Sequence, residues 1–214
     1  MGKQAFSASD VEQLLKTGYR VLDLRHPEIF AFSFIPGSLN LVLDENFEKH
    51  AKKFLFKDEA IILVTDNDLG EESLYELEKL GYQNIRGYLK GGIDSWISAG
   101  KLIDVVISVL PDEMDIEMRH ANLHVYDIRL KTDYDKGHLV ESEFIKPNVF
   151  IEDYSIIDDH EYAAIVCKDG QLSMSLISFL KINGKHNLYH VTGGFAEIKK
   201  YPEIELVTSK KVKR

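Results

Sequence analysis

Apolar positions along the chain fall into two patterns, short unbroken runs and stripes recurring every third or fourth residue, and the two alternate. Ser9-Asp10-Val11-Glu12 has the spacing of a helix capping box, Val11, Leu14 and Leu15 continue it as an apolar stripe, and Gly18 ends it. A strand is predicted from Tyr19 to Leu24 and a short helix from Pro27. Ala60 to Val64 is apolar throughout, as a strand covered on both faces must be. Leu74, Leu77 and Leu80 mark a helix closed by Gly81, Ile85 to Leu89 a further strand, and Gly91-Gly92 opens a helix holding the single Trp, Trp96. Strands alternating with helices specify an open parallel sheet.

The second half repeats this order. A helix is predicted over Asp112 to Arg119, strands over Leu123 to Ile128 and Ala163 to Val166, a helix around Leu176, Phe179 and Leu180 before Gly184, and a strand from Leu188 to Val191 before Gly193-Gly194. Asp23-Leu24-Arg25 and Asp127-Ile128-Arg129 lie 104 residues apart; Val64 and Val166, and the two Gly-Gly pairs, lie 102 apart. Three landmarks in one order at a nearly constant offset indicate a duplicated domain. The expectation is an α/β chain with domains 1–100 and 101–214, each a mostly parallel central sheet flanked by helices on both faces, their boundary within Ala99 to Ser108. The total of 214 residues suits two such units.

Charge removes several functions from consideration. With 26 Lys and Arg against 35 Asp and Glu the net charge is −9, unsuited to a broad nucleic-acid footprint. Only the tail, Lys210, Lys211, Lys213 and Arg214, is locally basic, and it reads as solvated. No apolar run reaches the roughly 20 residues of a membrane helix, and the polar start lacks a signal-peptide core. Gly2 is not read as a myristoylation site, because Phe6 stands where Ser or Thr is required. One cysteine, Cys167, excludes an internal disulfide and any CxxC site, so a cytoplasmic, reduced protein is expected. GxGxxG and GxxxxGK[ST] are absent, and no dinucleotide or nucleoside triphosphate cofactor is expected.

Taken in order, these motifs resemble the rhodanese family in two copies. The first copy rests on residues 21–28 (Val-Leu-Asp-Leu-Arg-His-Pro-Glu), 35–40 (Ile-Pro-Gly-Ser-Leu-Asn) and 91–96 (Gly-Gly-Ile-Asp-Ser-Trp). The second rests on residues 126–129 (Tyr-Asp-Ile-Arg), Tyr134, Gly137-His138-Leu139, residues 167–171 (Cys-Lys-Asp-Gly-Gln) and Gly193-Gly194. The pair is also similar to the C-terminal part of bacterial proteins that fuse a metallo-β-lactamase-fold domain to rhodanese domains. The HxHxDH metal motif of that fold is absent here, so neither its metal nor its activity is carried over. The resemblance implies a cysteine at the end of the central strand carrying sulfane sulfur as a persulfide. It implies that the Asp-x-Arg pairs brace the site through ion pairs, and that His138 is a support rather than a base.

On that reading Cys167 is the candidate catalytic residue, and the loop Lys168, Asp169, Gly170, Gln171 and Leu172 the candidate substrate-binding segment. A cysteine leaving a buried strand into such a loop before a helix sits where backbone N–H groups of residues 168 to 172 and the helix dipole favour a thiolate. Gly170 supplies the residue free to take positive φ. The partners implied are a small sulfane-sulfur donor and a thiol or protein acceptor. Active family members end this loop in Arg, whereas Leu172 supplies no donor, and Asp169 offsets the charge of Lys168. Weak thiosulfate activity follows.

In the first copy Thr65 falls at the cysteine position, followed by Asp66, Asn67 and Asp68, and Ser33-Phe34 replace Gly137-His138. A Thr without an activating base beside two carboxylates is a poor nucleophile, so this copy is expected to be silent. A cysteine phosphatase needs Cys-x5-Arg, and no Arg lies in this loop. Asp66 and Asp68 read as a solvated turn. His120/His124 and His186/His190 have i, i+4 spacing but run from turns into strands, so no metal site is assigned to them. The competing reading from another class is a tandem scaffold that has lost turnover and docks a protein partner.

Overall fold

The structure, a computed structural model, describes residues 4–66 and 69–209. Gly2, Asn67, Asp68 and the basic tail, Lys210, Lys211, Lys213 and Arg214, lie outside the described residues. The chain separates into two compact units, one ending at Val106 and one starting at Ile107. Among the described residues no helix is long and apolar enough to cross a membrane.

The first unit runs β1 (Gln4–Phe6), α1 (Ala8–Lys16), β2 (Arg20–Asp23), α2 (Pro27–Phe32), β3 (Leu39–Asn40), α3 (Phe47–Phe54), β4 (Ile61–Val64), α4 (Gly70–Lys79), β5 (Ile85–Leu89) and α5 (Gly92–Ser98). Its five strands pair in parallel in the order β1-β5-β4-β2-β3. All four residues of β4 are buried, because the central strand is covered on both faces. Ile62 and Val64 pack with Val11, Val21, Ile93 and Trp96 in one cluster. Each buried aliphatic side chain there contributes about 1.5–3 kcal/mol relative to exposure. Residues 101–106 stay with this unit: Trp96 Nε1 donates to Leu102 O at 2.7 Å, Phe34 and Asp104 form a bridge, and Val106 N donates to Ala31 O.

The second unit runs β6 (Ile107–Val109), α6 (Pro111–His120), β7 (His124–Asp127), α7 (Lys131–Tyr134), β8 (His138–Leu139), β9 (Glu143–Phe144), α8 (Pro147–Glu152), β10 (Ala163–Val166), α9 (Gln171–Ile182), β11 (Leu188–Val191), α10 (Gly194–Ile198) and β12 (Leu206–Val207). The parallel order β6-β11-β10-β7-β9 repeats that of the first unit. A separate two-stranded antiparallel pair joins β12 to β8. The central strand β10 is again buried throughout and delivers Cys167 at its C-terminal end.

One start signal is displaced from the sequence expectation. The N-cap of α1 is Ser7 rather than Ser9: Ser7 Oγ accepts from Asp10 N, and the Asp10 carboxylate accepts from Ser7 N, both at 3.2 Å. Pairing with β5 carries β1 to Phe6, so the helix opens as soon as the strand ends. The histidine pairs separate as expected. His120 closes α6 while His124 opens β7, and His190 lies within β11 after His186 in the preceding loop.

Candidate functional site

Each unit builds the same brace at the end of its second strand in sequence. Asp127 ends β7, and its carboxylate accepts from Arg129 N at 3.0 Å and from Arg129 Nε at 2.9 Å to each oxygen. Arg129 Nη2 then reaches Gly137 O at 2.8 Å, tying the turn to the chain before β8. In the first unit Arg25 makes the same contacts with Asp23 and with Ser33 O, at 2.8 Å. Arg129 has a further task, since its guanidinium carbon lies 3.3 Å from the centre of the Phe195 ring on α10. His138 donates from Nδ1 to Tyr134 O at 2.8 Å and stacks on the Tyr134 ring, which occupies it as a support.

The loop after β10 is clamped from below. Phe195 N donates to Cys167 O at 2.8 Å and Ala196 N to Lys168 O at 2.9 Å, so the first turn of α10 holds the loop's own carbonyls. Gly194 makes this approach feasible, because a Cβ there would sit 2.7 Å from both Cys167 O and Gly170 N. Gly170 has φ of +89° and accepts at its carbonyl from two side chains. Ser173 Oγ donates at 2.9 Å and His190 Nε2 at 3.2 Å. A carbonyl only accepts, so Nε2 is the donor to Gly170 O, and Nδ1 meets Ser108 Oγ at 3.1 Å.

The sulfur itself is 3% exposed with its residue. Gly170 N–H donates to Sγ at 3.2 Å, and Sγ–H faces Ser173 Oγ at 3.4 Å and Asp169 Oδ1 at 3.8 Å. Of the other loop positions, Lys168 and Asp169 are exposed and Gln171 and Leu172 half-buried. Gln171 N–H donates to Asp169 Oδ1 at 3.2 Å rather than to sulfur. The expected shift of the thiol toward thiolate is reversed. Burial pushes the Cys167 thiol above its ordinary value, against the Ser173 hydroxyl and the backbone N–H groups of Ser173 and Asp169, and the Asp169 carboxylate adds to the rise. Since the folded value exceeds the unfolded one, this thiol costs no stability below the ordinary thiol pKa and destabilises the fold as pH climbs through the raised value. Alkylation of native Cys167 by iodoacetamide is therefore expected to accelerate with a midpoint above pH 9.0, the ordinary value. A midpoint below about pH 8 would contradict this balance.

At the corresponding point of the first unit, Leu24 N donates to Val64 O as Ile128 N does to Val166 O, which makes Thr65 the counterpart of Cys167. Thr65 is buried. Gly70 packs on the Tyr88 ring as Gly170 packs on His190, so the first unit spans five residue steps from Thr65 where the second spans three from Cys167. Register supports the match, Ala5 and Tyr88 pairing across β1 and β5 as Ser108 and His190 pair across β6 and β11. A cavity of about 300 Å³ lies here, lined among others by Thr65, Asp66, Glu71, Tyr88 and Lys90.

Sequence reasoning passed over Ser173, His190 and Gly194 as parts of the site. The available signals were a His inside the otherwise apolar run 188–191 and a second Gly in a turn that needs only one. Among the described residues no group of three or more His, Cys, Asp or Glu is arranged for a metal ion.

The profile of the rhodanese-like domain family matches residues 7–99 and, separately, 110–201. No curated protein matches the chain. Among solved structures, a rhodanese-like domain protein of Staphylococcus aureus is 20% identical, covering 49% of this chain and 100% of its own, with a TM-score of 0.44. The thiosulfate sulfurtransferase of Pseudomonas aeruginosa is 16% identical, with 96% of this chain and 44% of that one covered and a TM-score of 0.42. SseA of Escherichia coli, a 3-mercaptopyruvate sulfotransferase, is 12% identical, with 92% and 100% covered and a TM-score of 0.42.

Proposed function

The chain belongs to the rhodanese-like domain family, with two copies in tandem, and from that premise we propose that its second unit carries sulfane sulfur as a Cys167 persulfide while the first unit is catalytically silent. The supporting observation is the setting of Sγ at the end of β10, with the Gly170 N–H 3.2 Å away and Ser173 Oγ 3.4 Å away at the start of α9. The Gly170 N–H and the N-terminus of α9 suit the anion that a persulfide becomes once sulfur is loaded. The resting thiol is protonated and shielded, and loading begins when it ionises. The thiolate attacks the outer sulfur of a donor RS–SH, the S–S bond breaks, RS⁻ leaves, and Cys167–S–SH remains. A thiol or protein acceptor then attacks the outer sulfur and returns Cys167 as thiolate. No step needs a resident cofactor. A cytoplasmic setting fits a chain whose one cysteine must stay reduced between turnovers. Leu172 supplies no guanidinium for an oxoanion, so thiosulfate is the poorer donor.

The burial of Cys167 favours a second reading, a scaffold that docks a protein partner without turnover. Intact-mass measurement after exposure to an organic persulfide separates the two. An adduct of about 32 Da, one sulfur atom, present in the native chain and absent from Cys167→Ser, is the result expected of the carrier. No adduct, with Cys167 alkylated only after denaturation, leaves the scaffold.

A further inference from the structure

We infer that Asp169 determines donor specificity at this site: its carboxylate holds the position in the loop that an oxoanion would take, admitting organic persulfides to Cys167 and turning away dianionic donors such as thiosulfate. The inference rests on Cys167 acting as a sulfur carrier. Three features of the geometry lead to it. Oδ1 of Asp169 takes the Gln171 N–H at 3.2 Å, and the Gly170 N–H is already committed to Sγ, so these two amides of the loop have acceptors belonging to the chain. The same Oδ1 stands 3.8 Å from Sγ, close enough for its charge to act on a group bonding to the sulfur. Asp169 is exposed while Cys167 is buried, which puts the charge on the solvent side of the nucleophile.

The two donors meet that charge differently. Thiosulfate brings two negative charges: Cys–S⁻ attacks its outer sulfur, the S–S bond breaks, SO₃²⁻ leaves, and Cys–S–S⁻ remains. An organic persulfide reacts as uncharged RS–SH and releases a thiolate away from the loop. A fixed carboxylate within a few ångströms disfavours the dianion by about tenfold at water-like screening and leaves the uncharged donor nearly unaffected.

The test compares second-order rates of Cys167 loading, read by intact mass, for thiosulfate and for the persulfide of 2-mercaptoethanol. Asp169→Asn keeps an acceptor for the Gln171 N–H and removes the charge, and Asp169→Ser does the same with a hydroxyl. Either change also alters the thiolate fraction, but that factor is common to both donors and cancels in the ratio of their rates. The thiosulfate-to-persulfide ratio is expected to rise about tenfold in both variants. Asp159→Asn removes the same net charge from the loop that enters β10, at the end of that strand away from Cys167, and the ratio there should stay within about twofold of the unaltered chain. An unchanged ratio in the Asp169 variants, or an equal rise in Asp159→Asn, overturns the inference. If persulfide loads every protein while the ratio stays fixed, only the role of Asp169 is lost. Should neither donor load any of them, the carrier reading falls and this inference with it.

Discussion

Arg25→Ala is expected to lower the stability of the first unit by about 3–5 kcal/mol, the cost of leaving one member of a buried ion pair without the other. Arg25 and Asp23 are 2% and 0% exposed, and no surface dielectric dilutes their interaction. Truncation removes the Nε and Nη2 donors from the Asp23 carboxylate and takes the 2.8 Å bond from Ser33 O. Asn40 cannot substitute, because its Nδ2 is bound to the main-chain carbonyls of Asp23 and Arg25. Arg25→Lys should rescue little, since an ammonium cannot make the paired Nε and Nη2 contacts. Trp96 is the single Trp and belongs to the first unit, so its fluorescence during urea unfolding reports this loss directly.

The same variant has a pH signature. Burial already pushes the Asp23 carboxyl above its ordinary range, and Arg25 is what pulls it back. Without Arg25 the folded pKa rises further above the unfolded value of about 3.9. A raised folded pKa gives stability that is complete below the unfolded value and is lost as pH rises through the folded one. The gap between Arg25→Ala and the unaltered chain should therefore narrow from pH 7 toward pH 4. A loss under about 1 kcal/mol, or a gap that widens on acidification, would show that the pair is not the brace described.

How far the fold could be read from sequence follows from which interactions are local. Ile61–Val64 and Ala163–Val166 are unbroken apolar runs because they are central strands, and glycines at 81 and 184, with φ of +89° and +87°, mark the helix ends expected there. The two-residue strands β3 and β9 carry no periodicity and exist only because β2 and β7 offer them an edge. At the site, the place of Cys167 was legible from the strand and the glycine that follow one another in the chain. The direction of its pKa was not, because desolvation comes from packing across the whole unit. The place of His190 in the site was hidden for a related reason: two of its partners are Ser108 on β6 and Gly170 O in the cysteine loop, 82 and 20 residues away. Asp169 reads in the sequence as a charge offsetting Lys168, whereas its geometry shows a carboxylate closing the turn on Gln171.

Gly194→Ala is expected to cut persulfide loading of Cys167 by at least about tenfold and to destabilise the second unit by about 2–4 kcal/mol. The new Cβ would stand 2.7 Å from Cys167 O, 2.7 Å from Gly170 N and 2.9 Å from Asp169 N. All three are backbone atoms of one loop, so no side-chain rotation relieves the overlap. The φ of +58° adds the cost of holding an alanine in a left-handed conformation, about 1–2 kcal/mol. Relief requires the loop to lift from α10, which stretches the Phe195 N to Cys167 O bond and displaces the Gly170 N–H from Sγ. Gly184→Ala separates strain from site disruption: its φ is +87°, but no atom lies within 4 Å of the added Cβ. That variant should lose about 1 kcal/mol and keep its loading rate. Calorimetry and intact-mass loading on the two variants together decide the matter, because equal loading losses would mean that backbone strain alone, and not the clamp of Gly194 on the cysteine loop, controls the sulfur.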